Sequence, residues 1–118
     1  MIPSSRKMKR SDFTLVKQCK REKLRGRHLL FTLFRCDRIP HEPQKFSVSI
    51  SKKKVKRSVK RNRIKRQVYA LVRAYLPFLE NYPQYSHFSI SLVSSDDRIP
   101  FTELEQDFLI LKKFLSKG

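Results

Sequence analysis

Glycine and long hydrophobic runs are scarce in this sequence. It has only two glycines among 118 residues, Gly26 and Gly118. A loop that cradles nucleotide phosphates needs several closely spaced glycines, so the nucleotide-binding folds built on such loops are excluded. The longest apolar runs, such as residues 108–111, are far shorter than the ~20 residues that span a membrane. Because no apolar stretch follows the basic N-terminus as in a secretory signal, we expect a cytoplasmic protein.

Cysteine is scarce as well. Cys19 and Cys36 do not form a closely spaced pair, and the three histidines do not cluster with them. A structural zinc site needs four ligands at recognisable spacings, so we expect no metal site in the protein. Since a basic chain without a secretory signal belongs in a reducing compartment, the sequence predicts two free thiols.

Positive charge is present in large excess. The chain has 28 lysine and arginine residues against 10 acidic residues, a net charge of +18. Residues 1–73 carry a net charge of +20, whereas residues 74–118 carry −2. Self-repulsion of this size destabilises a compact fold unless a polyanion neutralises it. The charge alone leaves RNA, DNA and an anionic membrane open as partners.

The hydrophobic pattern predicts an α+β fold. Apolar residues alternate with serines over 46–51 and over 88–92, a period of two that is typical of half-buried strands. Between these strands, one helical stripe contains Ile64, Val68, Leu71, Val72, Tyr75 and Leu76. We expect Pro77 to end this helix. A strand, a helix and a strand in this order favour a parallel pairing, and residues 28–36 are expected to add an antiparallel strand.

The other segments are predicted to form an arm, an edge and a first helix. Residues 1–9 are interpreted as a flexible basic arm and residues 10–118 as a single domain. Ser11 is expected to cap a helix with Phe13 and Val16 on its apolar side. Residues 20–27 are interpreted as a loop or a short edge strand.

A last helix is predicted after Pro100. Thr102 is expected to cap it, with Glu105 three residues on completing a capping box. The apolar stripe of this helix is Leu104, Phe108, Leu111 and Leu115.

The strongest local signal is the run from Lys52 to Arg66, in which ten of fifteen residues are basic and none is acidic. If Ser58 lies near the helix cap, several cations crowd the positive end of the helix dipole, at a cost of ~0.3–1 kcal/mol per charge. Phosphates bound at this helix start would reverse that cost. If the apolar stripe of this helix is extended from Ile64 towards the N-terminus, Arg61 and Arg57 fall on the same side of the helix as the stripe. The run therefore indicates nucleic-acid binding rather than a solvated face or a localisation signal.

At these residues the sequence resembles the protein subunit of bacterial ribonuclease P. Residues 60–66, KRNRIKR, are similar to the RNR signature of that family followed by an apolar residue and KR. Residues 46–53, FSVSISKK, are similar to the strand that leads into the RNR helix, and Asp12-Phe13 resembles the DF of the first helix. The resemblance covers nearly the whole chain in order and spacing. The chain departs from the family pattern at Lys17, Lys56, Arg57, Ser58 and Tyr69.

The resemblance implies a fold and a function. The implied fold is a small mixed sheet of about four strands packed with three helices, similar to some ribosomal proteins. Its crossover between the parallel strands is left-handed, against the general rule. The implied function is that of an accessory subunit of a ribonucleoprotein whose RNA removes the 5′ leader of precursor tRNA. The implied partners are ribonuclease P RNA and precursor tRNA, with Mg²⁺ held mainly by the RNA and with no membrane or obligate protein partner.

Carried over onto this chain, the resemblance implies two sets of site residues. The set that would contact RNA is Lys52, Lys53, Lys60, Arg61, Asn62, Arg63, Lys65 and Arg66. The set that would bind the single-stranded leader is Phe13, Phe31, Ser47 and Ser49. Aromatic rings can stack on unpaired bases, and hydroxyl groups can bind sugars and phosphates. For Phe13 and Phe31, a place in the core is the alternative.

The sequence offers no residues that would catalyse hydrolysis unaided. Its histidines are scattered, and no pair of carboxylates lies beside the RNR motif, as an autonomous nuclease would need. We therefore expect no catalytic residue in the protein, which agrees with the resemblance, since the resemblance implies that the RNA carries out catalysis. The main alternative is a structural RNA-binding protein of the ribosome. A DNA-binding protein fits less well because the basic run lacks the dimerising heptads or the turn of the familiar motifs.

Overall fold

A computed structural model describes residues 6–35, 44–95 and 98–117, which form three helices and a four-stranded sheet. Along the chain the elements are α1 (Arg10–Val16), β1 (Lys20–Arg25), β2 (Leu29–Arg35), β3 (Lys45–Ser49), α2 (Ser58–Leu79), β4 (His87–Leu92) and α3 (Phe101–Lys117). The strand order is β1-β2-β4-β3, in which β3 pairs with β4 in parallel and the other pairs are antiparallel. The predicted mixed sheet and its pairings are confirmed. The hand of the crossover stays a prediction.

The main hydrophobic core lies between the sheet and the helices α2 and α3. From β2, Leu29, Phe31 and Leu33 enter this core, where the ring of Phe31 meets that of Phe108 edge-on at 5.2 Å between centroids. The buried helix residues are Ile64, Val68, Leu71 and Val72 of α2 and Leu104, Phe108, Leu111 and Leu115 of α3. The predicted α3 stripe is thus buried in full, and the α2 stripe ends in the half-buried Tyr75 and Leu76.

The start of α1 differs from the prediction. The helix begins at Arg10, with Lys9 as its N-cap, so Ser11 lies inside the first turn and is not the cap. The Asp12 carboxylate accepts a hydrogen bond from the Lys9 N–H at 2.7 Å. Because a carboxylate at the third position can satisfy the capping donor by itself, the helix can begin before the serine.

Two other helix ends were also predicted wrongly. Helix α2 continues through Pro77 to Leu79. In the last turn of a helix, a proline removes one backbone hydrogen bond where the ladder is already ending. Helix α3 begins at Phe101, so Thr102 lies inside it and is not the cap.

The hairpin of β1 and β2 confirms the edge-strand interpretation of residues 20–27 and corrects the cysteine prediction. Cys19 is disulfide-bonded, so the prediction of two free thiols is wrong. Cys36, the other cysteine of the sequence, lies outside the described residues. The strands pair with Lys20 opposite Arg35, and each of these residues is next to a cysteine in the sequence. The prediction of free thiols rested on the redox compartment, which carries no information on tertiary contacts.

The described part of the predicted arm, residues 6–9, lies beside the outer edge of β3. Lys7 forms a parallel bridge with Phe46, and the Met8 N–H donates to the Phe46 carbonyl at 2.9 Å. Arg6 pairs with Glu80 just after α2 at 2.8 Å. These contacts hold residues 6–8 against the domain. Residues 1–5 lie outside the described residues, so the division into an arm and a domain stays a prediction.

Asp107 of α3 anchors the turn between β1 and β2. Its side chain is buried, and its carboxylate accepts hydrogen bonds from the backbone N–H groups of Arg27 and His28 at 2.8 Å and of Leu29 at 2.9 Å. The carboxylate approaches so closely that a Cβ atom at Gly26 would lie 2.5 Å from the Asp107 Cγ. The chain therefore needs a glycine at this turn, and the turn fixes the edge of the sheet to α3.

Candidate nucleic-acid interface

The cationic run lies on the loop before α2 and on the first turns of that helix. The loop carries Lys52 and Lys53, which are exposed, and Arg63 and Arg66 are exposed on the helix. The first turn of α2, all of it described, has no acidic side chain. Positive side chains therefore meet the positive end of the helix dipole, as the sequence predicts, and the surface is suited to anions.

The eight predicted RNA-contacting residues lie on the loop before α2 and on the first three turns of that helix. Five are exposed, namely Lys52, Lys53, Asn62, Arg63 and Arg66, and three are half-buried, namely Lys60, Arg61 and Lys65. Their contact with RNA stays a prediction.

Arg61 differs from its neighbours because its guanidinium binds the chain itself. Its Nη1 donates to the carbonyl of Val55 at 3.0 Å and to that of Lys56 at 2.7 Å. Val55 is buried in the main core, so these bonds tie the helix to an anchored loop. Arg61 thus fixes the course of the loop that carries the exposed lysines. Sequence reasoning missed this role, although the backward extension of the apolar stripe to Arg61 was a signal for it.

A second surface is the face of the sheet opposite α2 and α3. Residues paired across neighbouring strands share a face, so the register lines up two rows on this side. The rows are Lys23, Thr32, Ser89 and Ser47, and Arg25, Leu30, Ser91 and Ser49. The hydroxyl oxygens of Ser47 and Ser89 lie 3.3 Å apart, as do those of Ser49 and Ser91. We call these two rows the hydroxyl floor.

Helix α1 covers one end of the face that carries the hydroxyl floor. Val16 packs with Phe34 there, and both side chains are buried. His87 and Lys45 lie in the same row across the sheet as Phe34. His87 donates from Nε2 to the Asp12 carboxylate at 3.1 Å, and the Lys45 ammonium donates to the same carboxylate at 3.3 Å. The side chains of the hydroxyl floor are half-buried or exposed, whereas Phe34 and His87 are buried beside α1, which a polar cluster holds in place.

The charge of Asp12 is stabilised within this cluster. Burial raises the pKa of Asp12, but the hydrogen bonds from the Lys9 N–H, His87 and Lys45 together lower it more. The pKa of Asp12 therefore lies below its ordinary value, and the carboxylate is charged at neutral pH.

Replacing Asp12 by asparagine is expected to lower the free energy of unfolding by about 1–3 kcal/mol at pH 7, because charged hydrogen bonds are lost in a buried setting. A folded-state pKa below the unfolded one gives stability that is present above the unfolded value, ~3.9, and is lost as the pH falls through the folded value. The difference in unfolding free energy between wild type and Asp12→Asn, measured with urea, should therefore begin to shrink below about pH 4 and continue to shrink as the pH falls through the folded-state pKa. A difference that stays constant from pH 7 to pH 3 would contradict this account. Glu80→Gln, which breaks an exposed ion pair, is the matched control.

The four residues predicted to bind the leader lie in different parts of the structure. Ser47 and Ser49 lie on the hydroxyl floor, and Phe13 on α1 is 45% exposed. Phe31 is 1% exposed and belongs to the core under α3, so the prediction that it binds the leader is wrong and the core alternative is confirmed. Sequence reasoning missed Thr32, Lys23 and Arg25 as members of this face. The sequence signal for these residues was the alternation of polar and apolar residues along β1 and β2. This alternation was too weak to show which residues of the two strands pair.

The described residues offer little to a metal ion or to a membrane. No cluster of three or more histidine, cysteine, aspartate or glutamate side chains that could hold a metal ion occurs in the described part of the chain. None of the three described helices is both long and apolar enough to cross a membrane. Mg²⁺ takes oxygen ligands, and the ammonium and guanidinium groups of the α2 surface do not fit it.

Comparison with known proteins gives a family match over almost the whole chain. The family model described as Ribonuclease P matches residues 2–115. A ribonuclease P protein component from Cyanothece sp. (strain PCC 7425 / ATCC 29141) is 54% identical over 39 residues, which are 33% of this chain and 30% of that protein. This match thus spans less than a third of the curated relative.

Two solved structures have a similar fold. The ribonuclease P protein of Staphylococcus aureus has a TM-score of 0.70 and 16% identity, with 96% of each chain covered. The ribonuclease P protein of Thermotoga maritima has a TM-score of 0.68 and 16% identity, covering 91% of this chain and 94% of its own. These likenesses confirm the predicted fold class, and the ribosomal alternative has no support in them. Because the family model matches residues 2–115, the chain belongs to the ribonuclease P protein family.

Proposed function

We propose that the protein is a subunit of a ribonuclease P ribonucleoprotein that removes the 5′ leader from precursor tRNA. The observation that carries the proposal is the exposed cationic start of α2 in a chain of this family. Exposed lysines and arginines at a helix N-terminus bind phosphates through charge and through the free N–H groups of the first turn. We assign ribonuclease P RNA as the partner of this surface.

Cleavage is proposed to take place on the RNA. The α2 surface supplies cations and no general base or metal-binding carboxylate, so its contribution is to neutralise phosphates and position the RNA. Mg²⁺, which supplies Lewis-acid assistance to phosphodiester hydrolysis, is assigned to oxygen ligands of the RNA. Arg61 contributes by holding the lysine-bearing loop against the helix start.

The hydroxyl floor is proposed to hold the leader of the precursor tRNA. Four strands spaced ~4.8 Å apart give a floor roughly 14 Å wide, which suits a single strand of RNA rather than a duplex. Its small hydroxyl groups can bind sugars and phosphates without selecting a sequence, and Lys23 and Arg25 line one edge. Phe13 on α1 offers an exposed ring on which an unpaired base can stack.

The test is the effect of closing the hydroxyl floor. Replacing Ser47 and Ser89 together by valine fills the floor and removes two hydroxyl groups, while valine is favoured in strands. With the variant assembled on ribonuclease P RNA, we expect the affinity for precursor tRNA with a long leader to fall about tenfold, because each lost hydrogen bond contributes about 0.5–1.5 kcal/mol.

Leaderless tRNA should bind the variant and the wild type equally well. Ser116→Ala, which removes a hydroxyl group from the exposed surface of α3, is the matched control. An equal loss of affinity for both tRNAs, or no loss for either, would overturn the assignment of the leader to this face.

A further inference from the structure

A pocket of about 580 Å³ lies on α2 beside the arm, apart from the hydroxyl floor. Its lining residues are Lys7, Val59, Asn62, Lys65, Arg66 and Tyr69. Those from α2 follow one another at helical spacings of three and four, so they share one face of the helix. The volume is within the range of ~300–1,000 Å³ that is usual for small-ligand sites.

One part of the pocket is apolar and aromatic. Val59 is 76% exposed, which makes it the most exposed large apolar side chain in the described part of the protein. Tyr69 is half-buried and packs against the main core, and its hydroxyl group lies near the backbone of Val48 in β3. The Lys7 ammonium lies 5.1 Å from the centroid of the Tyr69 ring. The Tyr69 ring is therefore held in place by the sheet and the arm.

The other part of the pocket is polar and cationic. Asn62 and Arg66 are exposed and Lys65 is half-buried, and their side chains make no hydrogen bond or ion pair with any other described residue. An amide offers both a donor and an acceptor, as the edge of a nucleobase does. The two cations suit phosphates. An apolar wall, a fixed ring, an amide and two cations in one pocket together match a single nucleotide.

We propose that this pocket receives one unpaired nucleotide of ribonuclease P RNA, with its base against Val59 and Tyr69 and its phosphates at Lys65 and Arg66. The inference rests on the proposed function, since it names a site on the surface assigned to that RNA. We choose this RNA over the tRNA leader because the pocket lies on the same turns of α2 as the cationic run. The hydroxyl floor is on a different part of the domain.

The experiment measures binding of the full protein to ribonuclease P RNA alone, without tRNA. Tyr69→Leu is expected to weaken binding about tenfold, the size of one base–aromatic stack. The dependence of affinity on salt concentration should not change, because no charge is lost. Tyr69→Phe, which keeps the ring, should bind like the wild type. Leu109→Ser, at an exposed apolar residue of α3 outside the pocket, is the matched control.

A nucleotide-resolved readout makes the test specific. One base of the RNA should be protected from chemical modification in complexes with wild type and Tyr69→Phe and should become reactive with Tyr69→Leu. Val59→Ser, at a side chain too exposed to affect folding, should expose the same base. Binding within twofold of wild type by Tyr69→Leu, or unchanged protection, would overturn the pocket assignment alone. Failure of the wild-type protein to bind this RNA would overturn the proposed function as well.

Discussion

Replacing Arg63 and Arg66 together by alanine is expected to weaken binding to ribonuclease P RNA about 100-fold at physiological salt. Both side chains are exposed within the first three turns of α2, so their guanidinium groups are available to phosphates. A hydrogen bond to a charged group contributes about 1.5–3 kcal/mol, or at least tenfold in affinity for each arginine. Titration of the labelled RNA across a range of salt concentrations measures both the affinity and its salt dependence.

The matched control replaces Lys112 and Lys113 of α3, which are also exposed, by alanine. It removes the same charge from the molecule, so it reports the general electrostatic attraction. For the arginine variant, we expect the slope of log affinity against log salt concentration to show about two fewer counterions released on binding. For the lysine variant, we expect this slope to change little. Equal small effects of the two double variants would show that the charge of the whole protein, and not the α2 surface, binds the RNA.

Replacing Asp107 by alanine is expected to lower the free energy of unfolding by about 3 kcal/mol or more. The change leaves three backbone N–H groups at the turn of β1 and β2 without their carboxylate partner. Each unsatisfied buried donor costs about 1–3 kcal/mol, and water at the exposed side of the turn recovers part of that cost. Urea unfolding monitored by circular dichroism measures the effect.

Two further variants distinguish the loss of the Asp107 carboxylate from a general effect of substitution in α3. Gly26→Ala should destabilise the protein similarly, because its methyl group would displace the Asp107 carboxylate. Gln106→Ala, at the exposed neighbouring position, should change the free energy of unfolding by less than about 0.5 kcal/mol. An unfolding midpoint of Asp107→Ala equal to that of the wild type would refute the anchoring role.

The strands and helices whose pattern has one buried face could be predicted from the sequence. In β3, the alternation of Phe46 and Val48 with serines fixed which side is buried, and the pattern of β4 did the same. In α2 and α3, a single apolar stripe identified the packed side. These predictions succeeded because periodicity depends on local geometry that every strand and helix shares.

Which side chains of β2 point to which side of the sheet could not be predicted in this way. The apolar residues of this strand point to both sides of the sheet, with Phe31 under α3 and Phe34 under α1. The sequence pattern does not show which of these two aromatic residues faces α3, and only the register with the neighbouring strands decides it. The disulfide of Cys19 also escaped prediction, because the prediction of free thiols rested on the redox compartment and not on the tertiary fold.

The roles of individual cations were also beyond the sequence. Arg61 and Arg63 belong to the same motif, but Arg61 binds two loop carbonyls whereas Arg63 is exposed. The difference arises because the buried Val55 brings the preceding loop back against the helix start. A charge run shows where cations are concentrated, and the tertiary fold decides which of them face a partner.

The most direct test of the proposed function is cleavage of precursor tRNA by the ribonuclease P RNA of the same source at low Mg²⁺, with and without this protein. The RNA alone should be nearly inactive there, because too few counterions screen its phosphates. We expect the protein to restore cleavage, and to do so more strongly for a precursor with a long leader than for one with a minimal leader. No restoration with that RNA would contradict the account and would leave a general RNA-binding protein.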